Sequence, residues 1–154
     1  MDRQAIKQLV IARLSEGRMV DIVASGVSMV PMLLPGKKLR VSKCNPSELR
    51  RGDIALFDRG GDALIAHRVV ANDGASVVFR GDSTLEEDGR IDYANVIGKV
   101  VGASILGRMF SICWWWGRLY GRAVLALSPM SYWINYLLAR CVVILIRIKN
   151  IFRK

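Results

Sequence analysis

The sequence predicts a mainly β protein, in which a turn-rich β segment at residues 19–103 lies between two helical ends. Within that segment the apolar runs are short and are separated by Gly, Asp, Asn and Pro, which is typical of strands joined by tight turns. The stretch "NDG" between "HRVVA" and "SVVFR" is a strong β-hairpin signal. At both ends of the chain the apolar residues change to helical spacing. We therefore predict three segments, at residues 1–18, 19–103 and 104–154.

The N-terminal segment, residues 1–18, is predicted to be an amphipathic helix. Its apolar and basic residues recur at helical spacing and precede Gly17, which ends the pattern: Ile6, Leu9, Val10, Arg13 and Leu14. Charges throughout "MDRQAIKQLVIARLSEG" interrupt any apolar core of the kind that a secretory signal needs. We therefore expect an amphipathic helix here rather than a secretory signal.

The middle segment, residues 19–103, is expected to form the β domain. Turn sequences such as "LLPGK", "RRGD", "DRGGD", "ANDGA" and "RGDS" separate its apolar runs. The predicted strands lie at residues 20–24, 38–42, 54–58, 64–71, 76–80 and 96–103.

The C-terminal segment, residues 104–154, is predicted to be a basic, apolar and helical tail. All 13 Asp and Glu of the chain lie at or before Asp92, and nine of its 23 Lys and Arg follow that residue. An uncharged run around Pro129, "AVLALSPMSYWINYLLA", is shorter than the roughly 20 apolar residues of a straight spanning helix. We expect two amphipathic helices that meet at "SPMS" and lie on or partly in a bilayer. The alternative is a helical hairpin packed on the β domain.

Composition excludes several other classes of function. The net charge of +10 would suit nucleic acid, but the basic residues of the tail lie among Trp and aliphatic residues, which suits a membrane interface better. We therefore expect no nucleic-acid partner. The chain has three widely spaced Cys and one His, so neither a Cys/His metal site nor a disulfide framework is expected. Nothing in the sequence calls for a cofactor.

Ser28, in "VASGVSMVPMLLPG", raises the question of catalysis. A serine hydroxyl needs a neighbouring base before it can act as a nucleophile. No Lys lies between Cys44 and Gly98, and His67 is the one histidine of the chain, which makes it the best candidate base. Acidic residues that could orient the imidazole follow in "FRGDSTLEEDGRID". Taken alone, such a serine is more often a turn residue and such a run a solvated loop.

Five motifs in order, "SGVSMVPMLLPG", "RGDIALF", "AHRVV", "RGDSTLEED" and "VIGKVV", resemble the signal peptidase I superfamily of membrane-associated serine endopeptidases. The resemblance is to the archaeal and endoplasmic-reticulum-like branch, which uses histidine where most bacterial members use lysine. It covers about half of the chain and implies a signal-peptidase-like β catalytic domain.

The resemblance also implies the roles of individual residues. Ser28 would be the nucleophile and His67 the general base. Asp82 and Asp88 fall at the two acidic positions of the family, and we favour Asp88 as the acid that orients His67, with Asp82 shaping the loop. The Ser28 backbone N–H would help to hold the oxyanion. Gly26 stands where some relatives carry a hydroxyl, and Lys37 stands where they usually have Asp.

The expected substrate is an extended precursor peptide, cut after small residues, from which a signal or leader peptide is removed. The expected location is the cell membrane, where the tail contacts lipid. Typical relatives carry an anchor before the serine, whereas the candidate anchor here follows the β domain. Two alternatives remain open: a self-cleaving, repressor-like domain of the same fold, and a catalytically silent module that binds peptide or membrane.

Overall fold

The computed structural model describes residues 2–105, 108–112, 115–126 and 130–151. Within these ranges lie three α-helices: α1 (Arg3–Ser15), α2 (Trp115–Ala126) and α3 (Met130–Ile151). The strands are β1 (Val20–Val23), β2 (Lys38–Ser42), β3 (Ile54–Asp58), β4 (Leu64–Asn72), β5 (Ser76–Arg80), β6 (Glu87–Asp92), β7 (Val96–Ile105) and β8 (Arg108–Ser111). Short 3₁₀ turns at Pro46–Glu48 and Tyr93–Asn95 precede β3 and β7.

All eight strands belong to one antiparallel sheet. Its order is β1-β2-β7-β3-β4-β5-β6, and β8 pairs with the second half of β7. The long strand β7 therefore lies against β2 along one edge and against β3 and then β8 along the other. The fold class predicted from the sequence, mainly β with helical ends, is confirmed at this level.

Strand β3 has an apolar core on each of its faces. Ile54 and Leu56 belong to one core together with Val10 and Leu14 of α1. The alternating residues Ala55 and Phe57 belong to a second core, where the Phe57 ring stacks on Phe79 with a centroid distance of 4.4 Å. Neighbouring side chains on a strand point to opposite faces of the sheet. The consecutive apolar residues of β3 therefore contribute to both cores, one on each face of the sheet.

Helix α1 packs on the sheet with a narrower face than the sequence predicted. Lys7, Val10 and Leu14 are buried, whereas Ile6 and Leu9 are exposed. The Lys7 ammonium lies 2.7 Å from an Asp58 carboxylate oxygen and donates to the Gly61 carbonyl. The hydrogen bond from Lys7 to the Asp58 carboxylate lowers the pKa of Asp58. The amphipathic helix is present as predicted, but its inward face includes a lysine because that lysine has a carboxylate and a carbonyl to bind.

The six predicted strands are all present, but the structure adds two others. Strand β6 (Glu87–Asp92) was missed because its acidic residues and Gly89 conceal any apolar alternation, and Ile91 is its one fully buried residue. Strand β8 was missed because residues 104–111 were assigned to the helical tail. That assignment is wrong for the described residues of this stretch, since β7 continues to Ile105 and β8 follows it.

The helical part of the tail is present as α2 and α3, and α3 has two different faces. Ser128 and Pro129 of the proposed junction "SPMS" lie outside the described residues. Asn135 and Ala139 face inward and are buried, while the opposite face exposes a row of apolar side chains: Trp133, Ile134, Leu137, Leu138, Ile144 and Leu145. In the part of the chain that the structure describes, no helix has both the length and the apolar character needed to cross a membrane.

The β4–β5 hairpin turns at "NDG", as the sequence predicted. The Asp73 carboxylate accepts hydrogen bonds from the backbone N–H groups of Ala75 and Ser76 and from the Ser76 hydroxyl. These donors lower the pKa of Asp73 to about 2, because each of them favours the ionised carboxylate.

We expect Asp73→Asn to make the protein less stable at pH 6 and to have little effect near pH 2. The lowered pKa means that Asp73 contributes stability above its unfolded pKa near 4 and loses that contribution as the pH falls through about 2. Thermal unfolding of both proteins at a series of pH values measures the difference.

The matched control is Asp62→Asn, which removes the same charge from an exposed position in the β3–β4 turn. Its melting temperature should follow that of the parent at every pH. An Asp73→Asn deficit that persisted unchanged at pH 2 would contradict the role given to this carboxylate.

Candidate active site

Three of the four residues singled out from the sequence form one hydrogen-bonded chain. Ser28 Oγ lies 2.7 Å from His67 Nε2, and His67 Nδ1 lies 2.6 Å from Asp88 Oδ2. With Nδ1 protonated toward Asp88, Nε2 is left to accept the hydroxyl proton of Ser28. These are the contacts that a serine nucleophile, its base and an orienting carboxylate require.

The three residues come from different parts of the fold. Ser28 lies in the irregular segment after β1, His67 in the middle of β4, and Asp88 near the start of β6. His67 is opposite Ala55 in the β3–β4 register, and its ring packs edge-on against Phe57. The side chains of His67 and Asp88 are 12% and 11% exposed, so the pair is largely shielded from solvent but remains reachable from one side.

Asp88 has a second neighbour, the guanidinium of Arg59. A guanidinium nitrogen of Arg59 lies 3.3 Å from the carboxylate oxygen of Asp88 that does not bind His67. Arg59 is mostly exposed, so its contribution to stability is small.

Asp82 binds Arg68 instead of His67. Arg68 Nε and Nη2 donate to the two carboxylate oxygens of Asp82 at 2.7 and 2.6 Å, and Nη1 donates to the Gly52 carbonyl. Both side chains are 1% exposed. Of the two acids considered, the structure therefore brings Asp88 to the histidine and uses Asp82 in a buried ion pair. Arg68 is the partner of that acid.

The loop that follows β5 holds the backbone of the serine. The Ser83 N–H donates to the Ser28 carbonyl at 2.9 Å, and the Ser83 hydroxyl donates to the Val27 carbonyl at 2.8 Å. Gly81 packs so closely that a Cβ there would lie 2.8 Å from the Ser28 carbonyl oxygen. The position of Ser28 is therefore determined by a loop more than 50 residues away in sequence.

An apolar groove of about 390 Å³ leads to Ser28 and His67. One wall is the end of β1 and the segment that follows it, residues 22–26, and the other is the start of β4, residues 63–67. The pairing of β4 with β5 begins at Arg68, so this part of β4 borders the groove. A groove walled by extended backbone is suited to a peptide that adds as a further strand.

A second cavity, of about 460 Å³, lies on the other side of His67. The loop before β6 and Asp88 form part of its lining, and Tyr132 and Tyr136 of α3 complete it. The C-terminal helices therefore reach the immediate surroundings of the histidine. Among the described residues, no group of three or more His, Cys, Asp or Glu is arranged to hold a metal ion.

Sequence reasoning missed Arg59, Ser83, Gly81 and Asn135 as parts of this region. Ser83 directly follows the Gly81-Asp82 pair in "RGDS", but a serine in a turn gives no sign of which distant carbonyl it binds. Asn135 is the one amide side chain in the uncharged run "AVLALSPMSYWINYLLA", and that polar position among apolar residues was the signal that could have drawn attention to it.

Comparison with models of known protein families gave no match, and comparison with curated proteins gave none either.

We expect Gly81→Ala to destabilise the protein by about 1–3 kcal/mol, which is the usual cost of forcing a methyl group into a packed site. The added Cβ would meet the Ser28 carbonyl oxygen at 2.8 Å and the Thr84 hydroxyl oxygen at 2.9 Å. Urea unfolding measures the change in the free energy of unfolding.

Gly26→Ala is the matched control on the other side of the serine. There the nearest atom to an added Cβ is Ser28 Oγ at 3.8 Å, an ordinary contact, so stability should stay within about 0.5 kcal/mol of the parent. Equal losses for the two variants would contradict the close packing described for Gly81.

Proposed function

We propose that this protein is a serine endopeptidase of the signal peptidase type, which removes signal or leader peptides from precursor proteins or peptides. The observation that carries the proposal is the hydrogen-bonded chain from Ser28 Oγ through His67 to Asp88. A serine with a base in hydrogen-bond reach, and a carboxylate on the far nitrogen of that base, is the arrangement that acyl transfer to serine requires.

In the first half of the reaction, Ser28 Oγ attacks the carbonyl carbon of the scissile peptide bond. His67 Nε2 takes the hydroxyl proton as the new C–O bond forms, and Asp88 stabilises the resulting imidazolium through its contact with Nδ1. The Ser28 backbone N–H donates to the oxyanion of the tetrahedral intermediate. Collapse of this intermediate breaks the C–N bond, and His67 passes its proton to the departing amine.

In the second half, water hydrolyses the acyl-enzyme. His67 accepts a proton from the water as the water oxygen attacks the ester carbon, and a second tetrahedral intermediate forms. His67 then returns the proton to Ser28 Oγ as the C–O bond breaks. The products are a new carboxyl terminus on the upstream peptide and the original hydroxyl on Ser28, so protons and electrons balance without a cofactor.

The shape of the groove supports an extended peptide as the substrate. Residues 22–26 and 63–67 form its two walls, and each wall includes strand backbone, the end of β1 and the start of β4, that can hydrogen-bond to an inserted strand. Apolar side chains from the core, including Met29, Leu33 and Leu56, line its floor. A precursor segment with small, apolar residues before the scissile bond fits such a surface.

We expect Ser28→Ala and His67→Ala to abolish covalent labelling of the protein by a fluorophosphonate probe and to reduce peptide cleavage by at least about 1,000-fold. Asp88→Asn should lower cleavage by about 100- to 10,000-fold, because the amide no longer stabilises the imidazolium. Labelling followed by mass spectrometry of the modified peptide, and cleavage of a peptide library with small residues before the scissile bond, measure the two effects.

Ser47→Ala is the control, since Ser47 is an exposed serine at the 3₁₀ turn before β3. It should label and cleave like the parent. Intact-mass analysis of the parent during prolonged incubation tests self-cleavage. A parent that is never labelled at Ser28 and never cleaves would overturn the proposal in favour of a catalytically silent module.

We further propose that the outward face of α3 binds a membrane surface. Apolar residues at helical spacing are exposed there, with Trp133 and Leu137 61% and 60% exposed. The chain carries nine Lys and Arg and no acid after Asp92, which favours a surface of anionic lipids. In this arrangement α3 lies in the interface, with its inward face on the β domain, and the groove stays near the membrane where a precursor peptide would emerge.

We expect Ile134→Glu/Leu137→Glu to weaken binding to phosphatidylserine-containing vesicles by about tenfold or more, because two apolar side chains no longer enter the interface. Vesicle flotation of the full chain measures the partition coefficient.

The charge-matched control is Ser47→Glu/Ala94→Glu, at two exposed positions of the β domain. It makes the same change in net charge and should alter binding by less than about threefold. If both double variants lost binding equally, net charge rather than the α3 face would be responsible. A parent that stays unbound would reject the membrane proposal.

A further inference from the structure

The inward face of α3 contacts the loop that carries the acidic residues of the site. Asn135 is 5% exposed, and its side-chain amide donates to the backbone carbonyl of Asp82 at 3.0 Å. A buried carbonyl that loses its donor is left without a hydrogen bond, which destabilises the fold. The contact joins residues 53 positions apart in sequence, and so it fixes the helix relative to this loop.

Helix α2 packs against the buried ion pair between Arg68 and Asp82. The Arg68 guanidinium lies 5.6 Å from the centre of the Tyr120 ring, a distance at which a cation and an aromatic face attract each other. Burial raises the pKa of Tyr120 to about 12. Next to Tyr120, a Cβ on Gly121 would lie 2.7 Å from the Gly52 carbonyl oxygen and 2.5 Å from Arg68 Nη1. The helix therefore lies directly against the backbone and the arginine of the β domain.

The loop held by these helices also holds the serine. Asp82 accepts from Asn135 through its carbonyl and from Arg68 through its carboxylate. The next residue, Ser83, donates to the carbonyls of Val27 and Ser28. Two consecutive residues thus connect α3 to the backbone of the nucleophile, and the same loop leads into β6, where Asp88 lies.

We propose that Asn135 is a positioning residue for peptide cleavage, and that α2 and α3 are part of the active-site structure in addition to any role at a membrane. This inference rests on the proposed peptidase function. Asn135 touches neither Ser28 nor His67 and acts through the Asp82–Ser83 backbone. A catalytic group displaced by about 1 Å can lose as much as 100-fold in rate, so a loop that holds both the serine and its acid needs a fixed support.

The test compares Asn135→Leu, which keeps a similar volume but removes the amide donor, with Leu9→Asn. Leu9 is exposed on helix α1, away from the site, so the pair exchanges the same residue types at a buried and at an exposed helix position. Full-length proteins are reacted with a fluorophosphonate probe without lipid, at a temperature where thermal unfolding shows each to be folded. The rate constant of acylation within the complex is separated from probe affinity by varying the probe concentration.

We expect Asn135→Leu to lower the acylation rate constant about 10- to 100-fold with little change in probe affinity, and Leu9→Asn to stay within about twofold of the parent. A structural role alone would lower the melting temperature but leave the acylation rate of the folded protein unchanged. If Asn135→Leu does not fold, Asn135→Ser, which is smaller and uncharged, takes its place in the same comparison.

The outcomes separate the two proposals. Rapid labelling of the parent at Ser28 together with equally rapid labelling of the folded Asn135 variant would overturn the positioning role and leave the peptidase proposal standing. Absence of labelling in the parent would overturn the peptidase proposal, and this inference with it.

Discussion

The ion pair between Arg68 and Asp82 is the interaction on which the site depends. Two opposite charges, each with a side chain 1% exposed, are stable in a protein interior only when their remaining hydrogen-bonding groups are satisfied. Here Arg68 also binds the Gly52 carbonyl, while the backbone carbonyl of Asp82 accepts from Asn135. Removal of one partner of such a pair typically costs about 3–5 kcal/mol. The loop after β5 is therefore held in place by charge as well as by packing.

That constraint explains how a serine in an irregular segment can have a defined position. At Ser28 the segment after β1 is not paired with a strand, and its backbone is fixed by the hydrogen bond that the Ser83 N–H donates to the Ser28 carbonyl. His67, in contrast, lies within a strand paired to β3. His67 thus lies on the sheet and Ser28 on a loop, and the Arg68–Asp82 pair connects the loop that holds Ser28 to the sheet. Rigid support of this kind is what a pre-organised site requires.

Helix α3 lies between the Asp82 loop and the surface of the molecule. One face of α3 is buried on the Asp82 loop and the opposite face is apolar and exposed. The two expectations for the tail, a helical hairpin packed on the β domain and an amphipathic surface for lipid, are therefore compatible, because they involve different faces of one helix. The buried Asn135 belongs to the face on the β domain, whereas Trp133 and its apolar neighbours belong to the face that we propose binds lipid.

The local pattern of residues was sufficient to predict most of the strands and the residue types of the candidate site. Turn sequences such as "NDG" separate the apolar runs, and a single histidine left few choices for a base. Strand β6 was not predicted because it has no apolar alternation of its own. It is a strand because it pairs with β5.

The tertiary structure alone decided which acid meets the histidine and what the tail contacts. Asp82 and Asp88 lie in one short acidic run, and no local feature distinguishes an acid that orients an imidazole from one that binds a buried arginine. Likewise, Asn135 and Ser83 act on backbone groups 53 and 56 residues away. The physical reason is that turn and strand preferences are properties of neighbouring residues, whereas a hydrogen-bond partner is determined by which distant segments the packed sheet and helices bring within about 3 Å.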